Sequence, residues 1–178
     1  QGGNRPGAFN ITIMVEHDDI FSVLEAARIK GDSASRQTNA PDLKYALWVN
    51  DYYFEVLKAQ IENIKSVAAG GEDDPKAGDW YLFDPDESPG LHLVCGAEYR
   101  ALHARYVAEG KFRRCVKAGD IMLEAFKTWS MGGTSYVMNK DQINLKSNMT
   151  NVAPICSSNL CCEFTIPSWS KFDKHEFG

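Results

Sequence analysis

The spacing of apolar and polar residues changes several times along the chain, and each change marks an element. Ala8 to Val15 (AFNITIMV) alternates loosely and is β-prone, which predicts a strand. Asp18-Asp19 then offer N-cap chemistry to a run with apolar residues at Ile20, Val23, Leu24 and Ala27, the spacing of one helix face. Beyond a polar, turn-rich loop from Gly31 to Pro41, a second strand is predicted at Leu43 to Val49. Asn50 or Asp51 can cap the next helix, which carries Phe54, Leu57, Ile61 and Ile64.

Ala68 to Gly78 (AAGGEDDPKAG) is the least structured stretch and reads as an exposed loop rather than a domain boundary. Trp80 to Phe83 is a short strand, and Asp84 to Gly90 makes turns. Two helices are predicted at Gly96 to Glu109 and Val116 to Trp129, the second ended by Gly132-Gly133. After a short strand at Ser135 to Met138, the Asn- and Ser-rich stretch Asp141 to Ser158 lacks a helical period and reads as a long loop leading into Asn159 to Ile166. Strands separated by helices of about ten to fifteen residues define an α/β chain with a parallel sheet or barrel.

Composition narrows the class. With 178 residues, 44% hydrophobic and 24% charged, the chain has the size and make-up of one globular domain, which excludes disorder and collagen. No apolar run approaches the roughly 18 to 20 residues of a membrane span, and nothing near Gln1 resembles a signal peptide, so a soluble, cytoplasmic protein is expected. A net charge of -5, with basic residues scattered except at Lys111, Arg113, Arg114 and Lys117, argues against a nucleic-acid partner. Cys95, Cys115, Cys156, Cys161 and Cys162 form an odd set without framework or metal-ligand spacing, as expected of reduced thiols. The chain starts at Gln1 rather than Met and ends at Phe177-Gly178, and it reads as one piece of a longer or divided protein.

The densest chemistry is Ser157-Ser158-Asn159-Leu160-Cys161-Cys162-Glu163. In an extended segment Asn159, Cys161 and Glu163 project from one face, with neighbours about 6 to 7 Å apart. An amide, a thiol and a carboxylate can together hold a hydroxyl, take a proton and support covalent or radical chemistry at sulfur. A short strand with its cysteine packed in a core and its glutamate at the rim fits the same pattern. Cys162, on the opposite face, reads as a packing residue, and His17, His92, His103 and His175 show no pairing pattern.

Ser158-Asn159-Leu160-Cys161-Cys162-Glu163 resembles the Ser-Asn-Leu-Cys-x-Glu signature around the radical cysteine of the ribonucleotide reductase large subunit. Other stretches resemble the same family in its order. Gln1 to Ala8 is similar to the loop that relays effector identity to the substrate base, and His17 to Ile20 to the His-x-Asp-Ile that follows the next strand. Tyr45-Ala46-Leu47-Trp48, Trp80 to Phe83, Ser88 to Leu91 and Lys146-Ser147-Asn148 match further family stretches, so the resemblance runs from Gln1 to about Ile166. The chain departs from the pattern at Val15-Glu16-His17, where relatives carry Pro-Trp-His, and at the insertion-like Ala68 to Gly78.

The resemblance implies part of a ten-stranded α/β barrel: later strands of the first half-barrel plus a finger loop. It implies reduction of ribonucleotides, as diphosphates, to DNA precursors. In that chemistry Cys161 becomes a thiyl radical that abstracts the ribose 3′ hydrogen, Glu163 takes the 3′-hydroxyl proton, and Asn159 hydrogen-bonds the ribose hydroxyls. Substrate binding falls to Asn159, Leu160, Cys161, Cys162 and Glu163, and reading of base and effector to Gln1 and Arg5. Burial in an apolar finger would keep Cys161 a neutral thiol.

The redox cysteine pair and the substrate phosphate loop belong to parts of the family outside this sequence, and Cys95, Cys115 and Cys156 match no motif for the former. The segment itself binds no metal or cofactor in this reading. A small subunit with a metal cofactor, or cobalamin, supplies the radical, and nucleoside triphosphate effectors bind the whole enzyme. The implied partners are the remaining segments of the large subunit, the radical-generating subunit and a second large-subunit copy. Alone, a half-barrel leaves sheet edges and an apolar inner face exposed. A catalytically silent assembly piece, or a segment of a cobalamin-dependent reductase, is the alternative.

Overall fold

A computed structural model describes residues 9–28, 43–131 and 135–167. In chain order the elements are β1 (Asn10–Met14), α1 (Ile20–Ala26), β2 (Lys44–Val49), α2 (Asp51–Ala68), β3 (Asp79–Leu82), α3 (Gly96–Ala108), β4 (Arg114–Lys117), α4 (Ala118–Ser130), β5 (Ser135–Asn139) and α5 (Lys140–Lys146). The first, second and fifth strands form a parallel three-stranded sheet in the order β1-β2-β5. Its register pairs Met14 with Trp48 and Trp48 with Met138. The sheet fits the expected α/β class, with no further strand against β1 or β5 among the described residues.

Residues paired in register share a face. On one face Ile13, Val15, Leu47 and Val49 join the main core with Ile20 and Leu24 of α1, Tyr53 of α2, Tyr99 of α3 and Ile121 of α4. Asn50 caps α2 as predicted, its Oδ1 accepting the Tyr53 N–H at 2.8 Å. The entry to α1 differs: Asp19 makes no side-chain cap, and its N–H donates instead to His17 Nδ1 at 3.0 Å. Thr128 Oγ1 donates to the Leu24 carbonyl at 2.9 Å, joining α4 to α1.

His103, on α3, stands among aromatic rings, with centroids 5.2 Å from Phe83 and 5.3 Å from both Trp80 and Tyr52. Burial pushes its pKa down to about 4, so the ring is neutral at physiological pH.

Two sequence expectations change. The helix predicted from Val116 begins at Ala118, because Arg114–Lys117 is a strand antiparallel to β3, with Trp80 opposite Val116. A four-residue strand is too short to show a period, and its pairing is long-range. The expected loop after Asp141 begins as a helix, α5, with Asn139 as its cap. The helical period is hidden because the buried side of α5 is polar: Lys140, Asp141 and Asn144 are all inside.

Ala68 to Gly78 is the exposed loop expected, and it is tied down. Asn63 Nδ2 donates to Asp73 Oδ1 at 2.8 Å while its Oδ1 accepts the Asp74 N–H at 3.0 Å. Lys117 Nζ binds the carbonyls of Pro75 and Ala77 and the Asp79 carboxylate at 2.6 to 2.9 Å. The rest of the basic cluster is also engaged: Lys111 with Glu109, Arg113 with Asp84 and Glu87, and Arg114 with the Asp18 carbonyl. Among the described residues no helix is long and apolar enough to cross a membrane.

Candidate active site at the cysteine turn

The face of the sheet opposite the main core carries Asn10, Thr12 and Met14 of β1 beside Ala46 and Trp48 of β2. Ala46 and Trp48 are fully buried yet lie outside the helix-side core, and so do Ala153 and Ile155 from the segment that follows α5. These four residues are buried apart from the main core. Asn144 of α5 holds the segment in place, donating from Nδ2 to the Ile155 carbonyl at 2.9 Å and accepting the Ile155 N–H at 2.8 Å. The Cys156 thiol reaches the His92 carbonyl at 3.7 Å.

The chain then turns at the residues the sequence singles out. Asn159 closes the turn with its own backbone and side chain: its N–H donates to the Phe164 carbonyl at 3.1 Å, its Oδ1 accepts the Phe164 N–H at 2.9 Å, and its carbonyl accepts the Cys162 N–H at 3.2 Å. Cys162 has φ +63°, a left-handed conformation that disfavours an L-residue by about 1 to 2 kcal/mol. The segment is thus a turn, not the extended strand expected, and Asn159, Cys161 and Glu163 do not project from one face by strand alternation. An asparagine that bonds its own backbone favours turns over strands, which is the physical reason for the change.

The turn exposes Cys161, Asn159 and Glu163, and half-buries Leu160 and Cys162. Burial of Cys161 in an apolar finger is therefore not seen in this chain. Cys162 Sγ accepts from Ser158 Oγ at 3.2 Å and lies 3.9 Å from Asn10 Nδ2. Beside the turn is a groove of about 370 Å³ lined by Ser157, Ser158, Asn159, Phe164, Ile166 and Pro167. Gln1, Arg5, His175 and Gly132-Gly133 lie outside the described residues.

The other thiols sit in different surroundings. Burial pushes Cys95 up to about 12, and burial also raises Cys115 and Cys156, so all three are held as thiols. Glu16 is 4% exposed; burial raises its carboxyl pKa while the Lys140 charge opposes that rise. Asn50 Nδ2 reaches Glu16 Oε2 at 3.5 Å, and Lys140 Nζ donates to the Leu91 carbonyl at 3.3 Å.

Sequence reading missed Asn10, Asn144 and Lys140. For Asn10 a signal existed, an amide inside a β-prone run; for the two α5 residues it was masked by their polarity. His17, Asp18 and Asp19 bring potential metal-ligating atoms within 4.8 Å of one another, although His17 Nδ1 already accepts the Asp19 N–H.

Comparison with known proteins bears on this arrangement. The family profile described as "Ribonucleotide reductase, barrel domain" matches residues 1–174. The ribonucleoside-diphosphate reductase large subunit of African swine fever virus (strain Badajoz 1971 Vero-adapted) is 42% identical over 188 aligned residues, covering 100% of this chain and 23% of that protein. The large subunit of Danio rerio is 36% identical over 164 residues, covering 92% of this chain and 18% of its own length. That of Arabidopsis thaliana is 36% identical over 170 residues, with 94% and 18% covered. The chain spans about a fifth of the length of these relatives. The profile match along nearly the whole sequence, together with a parallel α/β sheet to which Asn10 ties the Ser-Asn-Leu-Cys-x-Glu turn, makes this chain a member of the ribonucleotide reductase barrel-domain family.

Proposed function

We propose that the chain is part of the catalytic large subunit of a ribonucleoside-diphosphate reductase and contributes the radical cysteine. The observation that carries this reading is the exposed turn of Asn159, Cys161 and Glu163, fixed to a rigid parallel sheet at one end and open at its tip. An exposed thiol and carboxylate on an anchored turn can reach a substrate that the rest of the subunit holds over them.

In the assembled enzyme the Cys161 thiol would lose its hydrogen atom to a radical, which a metal centre on a partner subunit or cobalamin would supply. The Cys161 sulfur then takes the hydrogen atom from ribose C3′. Glu163 accepts the 3′-hydroxyl proton while the 2′-hydroxyl leaves as water, taking a proton from a dithiol outside this chain. The Asn159 amide orients the ribose hydroxyls, and Leu160 and Cys162 complete the wall against which the sugar lies. That dithiol becomes a disulfide as it delivers its second hydrogen to C2′ and the remaining electron to the sugar, Glu163 returns its proton to the 3′ oxygen, and Cys161 returns its hydrogen atom to C3′, which restores the thiyl. Gln1 and Arg5 belong to the loop through which nucleoside triphosphate effectors select the base.

The other partners are the remaining segments of the large subunit, the radical-generating subunit and a second large-subunit copy, in the cytoplasm. Purifying the chain at native size and identifying co-purifying polypeptides tests the reading. Co-purification with chains carrying the missing half-barrel, in a complex that reduces ribonucleoside diphosphates, is the expected result. A lone stable monomer without nucleotide binding overturns it.

A further inference from the structure

The cysteine turn closes on itself, but it has to be held at a fixed place for Cys161 to meet a ribose carbon. Among the described residues, the hydrogen bonds made by Ser158 to Phe164 run within that segment, except those of Asn10. Asn10 opens β1 and is 149 residues distant in sequence from Asn159. Its Nδ2 donates to the Asn159 carbonyl at 3.2 Å and lies 3.9 Å from Cys162 Sγ. That same carbonyl accepts the Cys162 N–H at 3.2 Å, so a donor from β1 and a donor from the turn converge on one atom at the base of the turn.

The other end of the Asn10 amide explains why this residue is not merely a strand former. Its Oδ1 is buried and has no hydrogen-bond partner among the described residues. An unpaired buried acceptor is destabilising, and an apolar β-former would avoid it, as Ile11 and Ile13 do in the same strand. What the amide contributes here is its donor.

We propose that Asn10 is a positioning residue for the reductase reaction: it ties the cysteine turn to the sheet and thereby sets where Cys161 stands relative to the substrate. The proposal rests on the function proposed above. Asn10 touches neither reacting atom and acts through Asn159 and Cys162.

The test uses the assembled enzyme carrying Asn10→Ala, Asn10→Asp, which keeps the shape but cannot donate when ionised, and Asn10→Gln, which keeps a donor. The steady-state constants for ribonucleoside diphosphate reduction and the rates of iodoacetamide labelling of Cys161 and Cys162, read by mass spectrometry, are measured together. Loss of the donor lowers kcat about 10- to 100-fold with KM within about twofold, since substrate still binds but the thiol is displaced. Labelling of Cys162 accelerates in the same two variants, and Asn10→Gln recovers part of both effects. Unchanged kcat and labelling in Asn10→Asp overturn the proposal, as does an equal loss in Asn10→Gln. If the unmodified enzyme reduces no ribonucleotide, the functional reading fails by itself; the labelling rates then still decide whether Asn10 holds the turn.

Discussion

Asn144 and Ile155 form a two-point amide pairing, side chain to backbone, that fixes the approach to the cysteine turn six residues before Cys161. The same Nδ2 also donates to the Lys140 carbonyl at 2.9 Å, so one buried side chain joins α5 to the segment lying on the sheet. Asn144→Ala leaves the Ile155 N–H and carbonyl buried without partners. A loss of about 2 to 4 kcal/mol is expected in urea unfolding, with earlier proteolysis between residues 147 and 157. A change below about 0.5 kcal/mol contradicts this account of the clamp.

Glu16 and Lys140 are each almost wholly inaccessible, at 4% and 1% exposure, and the lysine's charge offsets the burial of the carboxylate. Removing the lysine takes away a charge that favours the ionised form of a buried carboxyl. Lys140→Met alone therefore lowers stability, and adding Glu16→Gln restores part of it. A double-mutant cycle measures the coupling; strictly additive losses contradict it.

His103 predicts the pH dependence. Its folded pKa of about 4 lies below its ordinary value of 6.5, so between those pH values the unfolded chain binds a proton that the folded chain does not. Stability is full above pH 6.5 and declines as pH falls toward 4, by up to about 3 kcal/mol from this residue. His103→Phe, which preserves the aromatic packing, flattens that part of the curve in thermal melts. Parallel curves for the two proteins contradict the assignment.

Gly78 and Gly90 make a controlled comparison. Both have positive φ, +83° and +81°, but a Cβ at Gly78 would stand 2.6 Å from Gln60 whereas the space at Gly90 is open. Gln60 is also fixed by its 2.7 Å bond from the Gly119 N–H. Gly90→Ala carries the backbone penalty alone, about 1 kcal/mol, and Gly78→Ala adds steric overlap for a total of about 2 to 4 kcal/mol. Chemical unfolding of the two variants checks the order.

The parallel sheet and its helices were legible because their buried faces are apolar and repeat at the period of their element: Ile13, Val15, Leu47 and Val49 on strands, Ile20 and Leu24 on α1. The helix α5 was not, because its inward residues are lysine, aspartate and asparagine, which a hydrophobic period cannot register. The chemistry at Asn159, Cys161 and Glu163 was visible as a motif, but its shape was not. Alternation presumes a strand, and Asn159 instead folds its own amide onto Phe164 to make a turn. Asn10 was overlooked since its partner lies 149 residues away, a separation no local pattern reports.

The central claim is that Cys161 is the sulfur that reacts. The direct measurement is ribonucleoside diphosphate reduction by the assembled enzyme carrying Cys161→Ser, alongside substrate binding by the same protein. The expected result is complete loss of deoxyribonucleotide formation with binding retained, because a serine hydroxyl fits the turn but cannot carry the hydrogen-atom exchange. Turnover close to that of the unmodified enzyme would contradict the assignment and leave the turn without a catalytic role.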